Sequence, residues 1–152
     1  MMIKQFLNYL SHERNKSPQT VKSYEEGLTA FQAYFKALDN HLSWESVDAD
    51  VIRCWMESLM EKGNIATSVN QRLSAVRSFY RFALKRGLVQ RDPAHLIKGP
   101  KKEKPLPMFV RESEMDRLLD DEMGWDGSFD SVRARTIIMT FYATGMRLSE
   151  LI

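Results

Sequence analysis

The chain is poor in the residues from which several kinds of protein are built. It has one cysteine, Cys54, so no internal disulfide can form. Its three histidines are scattered and have no second cysteine beside them, which leaves no zinc-ligand spacing. The longest apolar stretch, around Ile137 to Ala143, is broken by Thr140 and is far shorter than the roughly 20 residues that a membrane-spanning helix needs. The first ten residues alternate polar and apolar side chains and run on into charges, without a long apolar centre or a small-residue cleavage site. They read as a helix, and the expected location is the cytoplasm.

What remains is ordinary globular material. With 43% hydrophobic and 28% charged residues over 152 positions, the chain can build one core of good size or two small ones. A net charge of +2 conceals a segregation along the chain. Residues 62–104 hold eleven Lys or Arg against two acids, Asp92 and Glu103, a local excess of +9, whereas residues 105–152 hold five basic and nine acidic residues, a local −4. Concentrated positive charge attracts a polyanion and releases condensed counterions on docking. A plain solvated helix face carries the same charge, so its placement on the helices has to decide.

The spacing of apolar residues predicts an all-α fold with no convincing strand. Ile3, Phe6, Leu7 and Leu10 mark a first helix. Ser17-Pro18 starts a second, with serine as N-cap and proline at the first helical position, and Val21, Tyr24, Leu28, Phe31, Phe35 and Leu38 form its stripe up to Asp39-Asn40. Asp48 caps a third, whose apolar face is Val51, Ile52, Trp55, Leu59 and Met60 and whose end is Lys62-Gly63. A fourth runs from Ala66 or Thr67 to Lys85-Arg86-Gly87. Gly99 to Pro107, with four successive charges and three prolines, reads as a stiff basic connector. The expected division is therefore a domain over 1–98, a connector over 99–107 and a second piece over 108–152. In that piece Arg111 to Glu114 opens a helix with Met115, Leu118 and Leu119 on its apolar side, and Asp130-Ser131 caps another through Ile137, Ile138, Phe141 and Tyr142 to Gly145. So few residues hardly bury a full core alone, and they are expected to lean on the first domain, a neighbour or a swapped copy.

The fourth helix is the most one-sided. At 100° per residue, Val69, Leu73, Val76, Tyr80 and Leu84 fall within about 80° of one another. Opposite stand Thr67, Asn70, Gln71, Ser74, Arg77, Ser78, Arg81 and Lys85, with no acid among them. Helices that only need solubility usually alternate signs. Amides address adenine edges, arginine addresses guanine or phosphate, and small serines allow close approach, so this strip suits a DNA groove. In the second helix Lys16, Thr20, Lys22 and Ser23 gather at the start, where free N–H groups and the helix dipole favour phosphate, while Glu25 and Glu26 confine that role to the amino end. Lys101 and Lys102 add cations from the connector. The five tyrosines, 9, 24, 34, 80 and 142, lie on or beside apolar stripes and read as core or boundary residues.

At the far end, Arg147 sits on a glycine turn with Glu150 three residues on, where one helical turn lets a carboxylate brace a guanidinium whose fork matches two phosphate oxygens. Bare, such a pair is common on helix surfaces and worth a few tenths of a kcal/mol.

The surrounding residues carry more. Tyr142-Ala143-Thr144-Gly145-Met146-Arg147-Leu148-Ser149-Glu150-Leu151 resembles the first active-site arginine segment of tyrosine recombinases, the family of phage integrases and Xer-type enzymes. Ser17 to Tyr24 is similar to the family's opening DNA-facing helix, Asn70 to Tyr80 to its second, and Lys101 to Pro107 to its interdomain hinge. The resemblance implies a four-helix SAM-like core-binding bundle followed by a helical fragment of a catalytic domain, clamping double-stranded DNA. It implies strand cleavage and rejoining through a 3′-phosphotyrosine, without metal or cofactor, in a tetrameric synapse of recombinase protomers. Arg147 would be the first catalytic arginine and Glu150 the carboxylate that braces it. Nothing here matches the lysine hairpin, the His-x-x-Arg element or the nucleophilic tyrosine, so these residues are expected to bind DNA and cut nothing. A stand-alone DNA-binding module and a helical protein-interaction domain are the other two readings.

Overall fold

The computed structural model describes residues 2–102, 106, 108–120 and 124–152, and all regular structure among them is helical. The chain divides into two compact units, Met1–Lys104 and Pro105–Ile152.

In the first unit α1 (Met2–Asn8) runs into one π-helical turn, Tyr9–Glu13, closed by the Arg14 N–H on the Tyr9 carbonyl at 3.1 Å. The chain reverses at Asn15, in the left-handed region with φ 45°. Ser17 then caps α2 (Pro18–Leu38), its hydroxyl accepting the Thr20 N–H at 3.2 Å. Asp48 caps α3 (Ala49–Glu61) by accepting the N–H groups of Asp50 and Val51 at 3.0 and 2.9 Å. The fourth helix, α4, covers Ala66–Lys85. Each cap satisfies donors that a helix leaves open at its start, which is why these boundaries follow the sequence closely.

A relay of aromatic rings joins the four. Phe31 of α2 lies 4.7 Å from Trp55 of α3 and 5.8 Å from Trp44, and Trp44 lies 4.4 Å from Phe79 of α4. Phe6 of α1 meets Phe79 edge-on at 5.7 Å. Such contacts add about 0.5–1.5 kcal/mol each beyond the area they bury. The Tyr80 hydroxyl, fully buried, donates to the Trp44 carbonyl at 3.0 Å. Burial pushes its phenol well above the ordinary tyrosine range, with Asp92 adding to the rise and Arg91 opposing it. Where α2 and α4 pass, a Cβ on Gly27 would stand 3.4 Å from the Cβ of Ala75, so the two backbones lie close.

Three residues expected inside are outside: Leu38, Met60 and Leu84 are 56%, 43% and 44% exposed. Met56, Phe82 and Ala83 are buried instead. Each of α3 and α4 touches more than one neighbour, so its covered arc is wider than one stripe and is displaced toward those neighbours.

The second unit holds α5 (Glu112–Leu119), α6 (Phe129–Thr144) and α7 (Leu148–Leu151). The cap of α6 is Ser128, which accepts the Ser131 N–H at 3.3 Å, and not Asp130; Asp126 in turn accepts the Ser128 N–H at 2.9 Å and fixes the turn before the helix. Trp125 donates to the Leu118 carbonyl at 3.0 Å, and Arg135 to that of Leu119. Met115 is the one buried hydrophobic among its described residues, and α6 buries none of its own. Of the expected connector, Gly99 and Pro100 are half-buried, Lys101 and Lys102 are exposed, and 103–105 and 107 lie outside the described residues.

Replacing Tyr80 by Phe is expected to lower the unfolding free energy by about 1–2 kcal/mol, because the Trp44 carbonyl is left unpaired in the core. Phe79→Ala should lower it by about 3–5 kcal/mol. Urea denaturation followed by tryptophan fluorescence measures both.

Candidate nucleic-acid interface

The polar strip of α4 and the start of α2 meet at one cross-link. The Gln71 side-chain amide donates to the Ser23 hydroxyl at 2.8 Å, tying together residues 48 positions apart. On the two helices Lys22, Thr67 and Ser74 are exposed and Thr20 is half-buried. The Thr20 hydroxyl shares a 2.9 Å hydrogen bond with the Ser17 cap, and Ser74 donates back to the Asn70 carbonyl at 2.9 Å. Small hydroxyl-bearing side chains that bond locally hold the surface low and leave room for a partner's backbone.

Toward the carboxyl end of α4 lies a cavity of about 730 Å³ that brings Lys16 together with Arg81 and Lys85. Its wall also carries Arg14 and Arg86, and its floor includes Phe6, Tyr9, Tyr24 and Phe82. Arg86 donates to Glu13 at 2.5 Å and lies 5.8 Å from the Phe82 ring centre. Glu13 is the single acid lining a cavity with five cationic side chains. Sequence reasoning overlooked Arg14 and Arg86, which sit where the chain reverses after the π turn and where α4 ends. It also overlooked Arg72, half-buried with its Cγ 3.9 Å from the Cβ position of Gly27.

Two members of the strip have a different employment. Asn70 donates to the Ala66 carbonyl at 2.7 Å and to the Pro100 carbonyl at 2.8 Å. Arg77 is half-buried, donates to the Ile97 carbonyl, and has a buried Nε without a hydrogen-bond partner among the described residues. Both are held by the segment after α4, which folds back and buries Ala94 and Ile97. The expectation that Asn70 and Arg77 stand free on the outer face is therefore corrected. Thr67, Gln71, Ser74, Arg81 and Lys85 do stand exposed.

In the second unit Gly145 ends α6 in the left-handed conformation, φ 65°, which a residue bearing a Cβ rarely adopts. Arg147 follows as N-cap of α7. Glu150 accepts the Arg147 backbone N–H at 2.7 Å through one oxygen and the guanidinium Nη1 at 3.2 Å through the other. The carboxylate thus orients the fork and leaves its remaining donors for another acceptor. With side chains 83% and 51% exposed, the pair contributes little to stability. Among the described residues no group of His, Cys, Asp and Glu is placed to hold a metal, and no helix is long and apolar enough to cross a membrane.

Residues 3–87 match the family described as phage integrase, N-terminal SAM-like domain. Over 150 residues the chain is 33% identical to the tyrosine recombinase XerD of Oceanobacillus iheyensis, covering 99% of this chain and 50% of that protein. It is 35% identical over 147 residues to the tyrosine recombinase XerC of Lactobacillus delbrueckii subsp. bulgaricus, covering 97% and 49%. The XerD of Brucella suis is 33% identical over 159 residues, covering 100% and 51%. The chain spans about half the length of the curated relatives it matches.

Because Arg77 is tied into the fold and Arg81 is not, Arg77→Ala should destabilise the first unit by about 1–3 kcal/mol and Arg81→Ala by no more than about 0.5 kcal/mol. Equal denaturation midpoints for the two variants would contradict this division of α4.

Proposed function

Since the chain belongs to the phage integrase family through its N-terminal SAM-like domain and is homologous to Xer tyrosine recombinases over nearly its whole length, we propose that it is the DNA-gripping half of a site-specific tyrosine recombinase. The observation that carries this reading is the acid-free outer strip of α4, bonded through Gln71 to Ser23 at the start of α2. Lys16, Lys22, Arg81, Lys85, Lys101 and Lys102 neutralise phosphates of duplex DNA. Thr20, Ser23, Thr67 and Ser74 supply hydroxyls to phosphate oxygens or bridging water, and Gln71 is the side chain suited to a base edge. In this reading residues 1–98 are the core-binding domain, 99–107 the connector and 108–152 the beginning of the catalytic domain.

Arg147 takes the role of a catalytic arginine. Its fork, preset by Glu150, faces the non-bridging oxygens of the phosphate under attack and stabilises the charge that develops there. A tyrosine hydroxyl attacks the phosphodiester, forms a 3′-phosphotyrosine and releases a 5′-hydroxyl, and a second strand's 5′-hydroxyl reverses the step without metal or cofactor. That tyrosine has no match among these residues. By themselves the 152 residues bind DNA without cleaving it, and the tetrameric synapse belongs to the longer protein. The protein acts in the cytoplasm.

Duplex binding measured against salt concentration tests the reading. Affinity should fall steeply as salt rises, and Arg81→Ala and Lys85→Ala should each flatten the log–log slope by about 0.9 per lost phosphate contact. Arg147→Ala should leave the affinity of the 152-residue chain unchanged. In a longer protein that carries the second half of the relatives' length, the same substitution should abolish strand cleavage while binding persists. Absence of duplex binding in dilute buffer would favour a protein-interaction domain instead.

A further inference from the structure

The polar strip of α4 holds down the chain that follows it. Asn70 bonds the Pro100 carbonyl at 2.8 Å, and Arg77, two turns further along α4, bonds the Ile97 carbonyl. Between those anchors Gly99 lies so near α4 that a Cβ would stand 2.0 Å from the Asn70 Oδ1 and 3.3 Å from a Leu73 methyl. Ile97 itself is buried at 3% exposure. The stretch is thus fastened by a buried side chain, two hydrogen bonds and a close approach at Gly99 that leaves no room for a Cβ while Asn70 holds its place. A basic segment with three prolines reads as a stiff connector, yet here its first part is part of the bundle.

Lys101 and Lys102 follow the Pro100 anchor directly. Consecutive Cα atoms are about 3.8 Å apart, so both lysines start within about 8 Å of a carbonyl held on α4 beside Thr67 and Ser74. Pinned cations differ from tethered ones. A lysine on a flexible chain gives up backbone freedom when it meets a phosphate, whereas one on an ordered backbone has already lost it.

We propose that Asn70, Arg77 and Gly99 are positioning residues: they fasten the connector so that Lys101 and Lys102 form a fixed part of the duplex-contacting surface. This rests on the reading of the first unit as a DNA-binding domain. It assigns Asn70 and Arg77 an indirect role in place of direct contact with DNA.

Two measurements on the 152-residue chain test the proposal. The first is limited trypsin digestion, with cleavage after Lys98 and Lys101 resolved by mass spectrometry. Asn70→Ala and Gly99→Ala should each accelerate these cuts by about fivefold, the effect of losing one hydrogen bond, with cleavage within α2 and α4 unchanged. Because the glycine is required by the Asn70 side chain, the double substitution should cut no faster than Asn70→Ala alone. Unaltered cleavage in both single variants, or rates in the double variant that simply multiply, overturns the fastening.

The second is the salt dependence of duplex binding for a Lys101→Ala, Lys102→Ala variant in two backgrounds. In the native background the slope should flatten by about 1.8, two phosphate contacts at about 0.9 each. In the Asn70→Ala background the same change should have a clearly smaller effect, since the lysines are no longer held. Equal flattening in both, or none in the native one, overturns the positioning role and leaves DNA binding standing. A chain that binds no duplex in any form overturns the functional reading and this role with it.

Discussion

The rotation of α4 about its own axis is the constraint from which the surface properties follow. Val69, Leu73, Val76, Phe79, Tyr80 and Ala83 are all at 0% exposure, and they cover an arc too wide to tolerate a turn of even one residue. Rotating the helix by 100° would carry Arg81 or Arg77 into a core lined by Phe31, Trp44 and Trp55, where an unpaired guanidinium has no compensating partner. Each buried aromatic or aliphatic side chain contributes about 1.5–3 kcal/mol, so the preference for this one orientation is large compared with the stability of a small domain. The hydrogen bond from Tyr80 to the Trp44 carbonyl adds direction to what packing alone leaves adjustable. With the inner arc fixed, the remaining positions have no choice but to face α2's start, the returning segment or solvent.

Those three destinations divide the polar residues by function. Gln71 points to α2 and makes two helices one surface. Asn70 and Arg77 point to the returning segment and make it part of the bundle. Thr67, Ser74, Arg81 and Lys85 are left to solvent. The electrostatic consequence is a strip whose charge is unopposed on α4 itself. In the cavity, by contrast, Glu13 offsets one of the five cations. Exposed ion pairs of that kind contribute at most about 1 kcal/mol to stability, but they lower the local charge by one unit and so reduce the counterions a docking polyanion can release. Arg14, Lys16, Arg81 and Lys85 are accordingly the cations of that cavity left without its one acid, and in the proposed reading they are the ones a phosphate backbone meets.

Local chemistry was legible in the sequence and long-range return was not. Ser17 and Asp48 were recognisable as caps because a cap bonds to N–H groups two or three residues away. The stripes of α2, α3 and α4 were recognisable because periodicity is a property of one helix. Leu38, Met60 and Leu84 were misplaced because the edge of a stripe is decided by which neighbours arrive, and no single helix contains that information. The engagement of Asn70 and Arg77 was hidden for the same reason: on a helical wheel they stand on the outer strip, and only the fold-back of 94–100 reaches them. The π turn left no signal in the spacing of Ile3, Phe6, Leu7 and Leu10, and Arg14 was overlooked with it. At α6 the sequence reading placed the cap at Asp130-Ser131, whereas the turn from Asp126 to Ser128 sets it at Ser128. Of the surface assigned to DNA, then, the outward residues followed from sequence, while the fastened ones required tertiary structure.

Arg147 shows what local geometry can and cannot supply. Glu150 fixes both the backbone N–H and the guanidinium of Arg147 through its two oxygens, so the orientation of the fork is set by four consecutive residues and a glycine turn. Orientation is only half of electrostatic catalysis. Two unit charges 4 Å apart interact by about 1 kcal/mol in water and by several times that in a water-excluded site. At 83% side-chain exposure the fork stands in the first regime, and its attraction for a developing negative charge is correspondingly weak. The helix before it, α6, carries Phe129, Val132, Ile137, Met139 and Tyr142 and buries none of them. These apolar side chains are spread around the helix, with Asp130, Arg133, Arg135 and the threonines between them. Three residues, 145–147, separate the end of α6 from the start of α7, so whatever covers the end of α6 lies close to Arg147. In the proposed reading, burying those side chains would also lower the dielectric beside the guanidinium, the setting that electrostatic stabilisation requires.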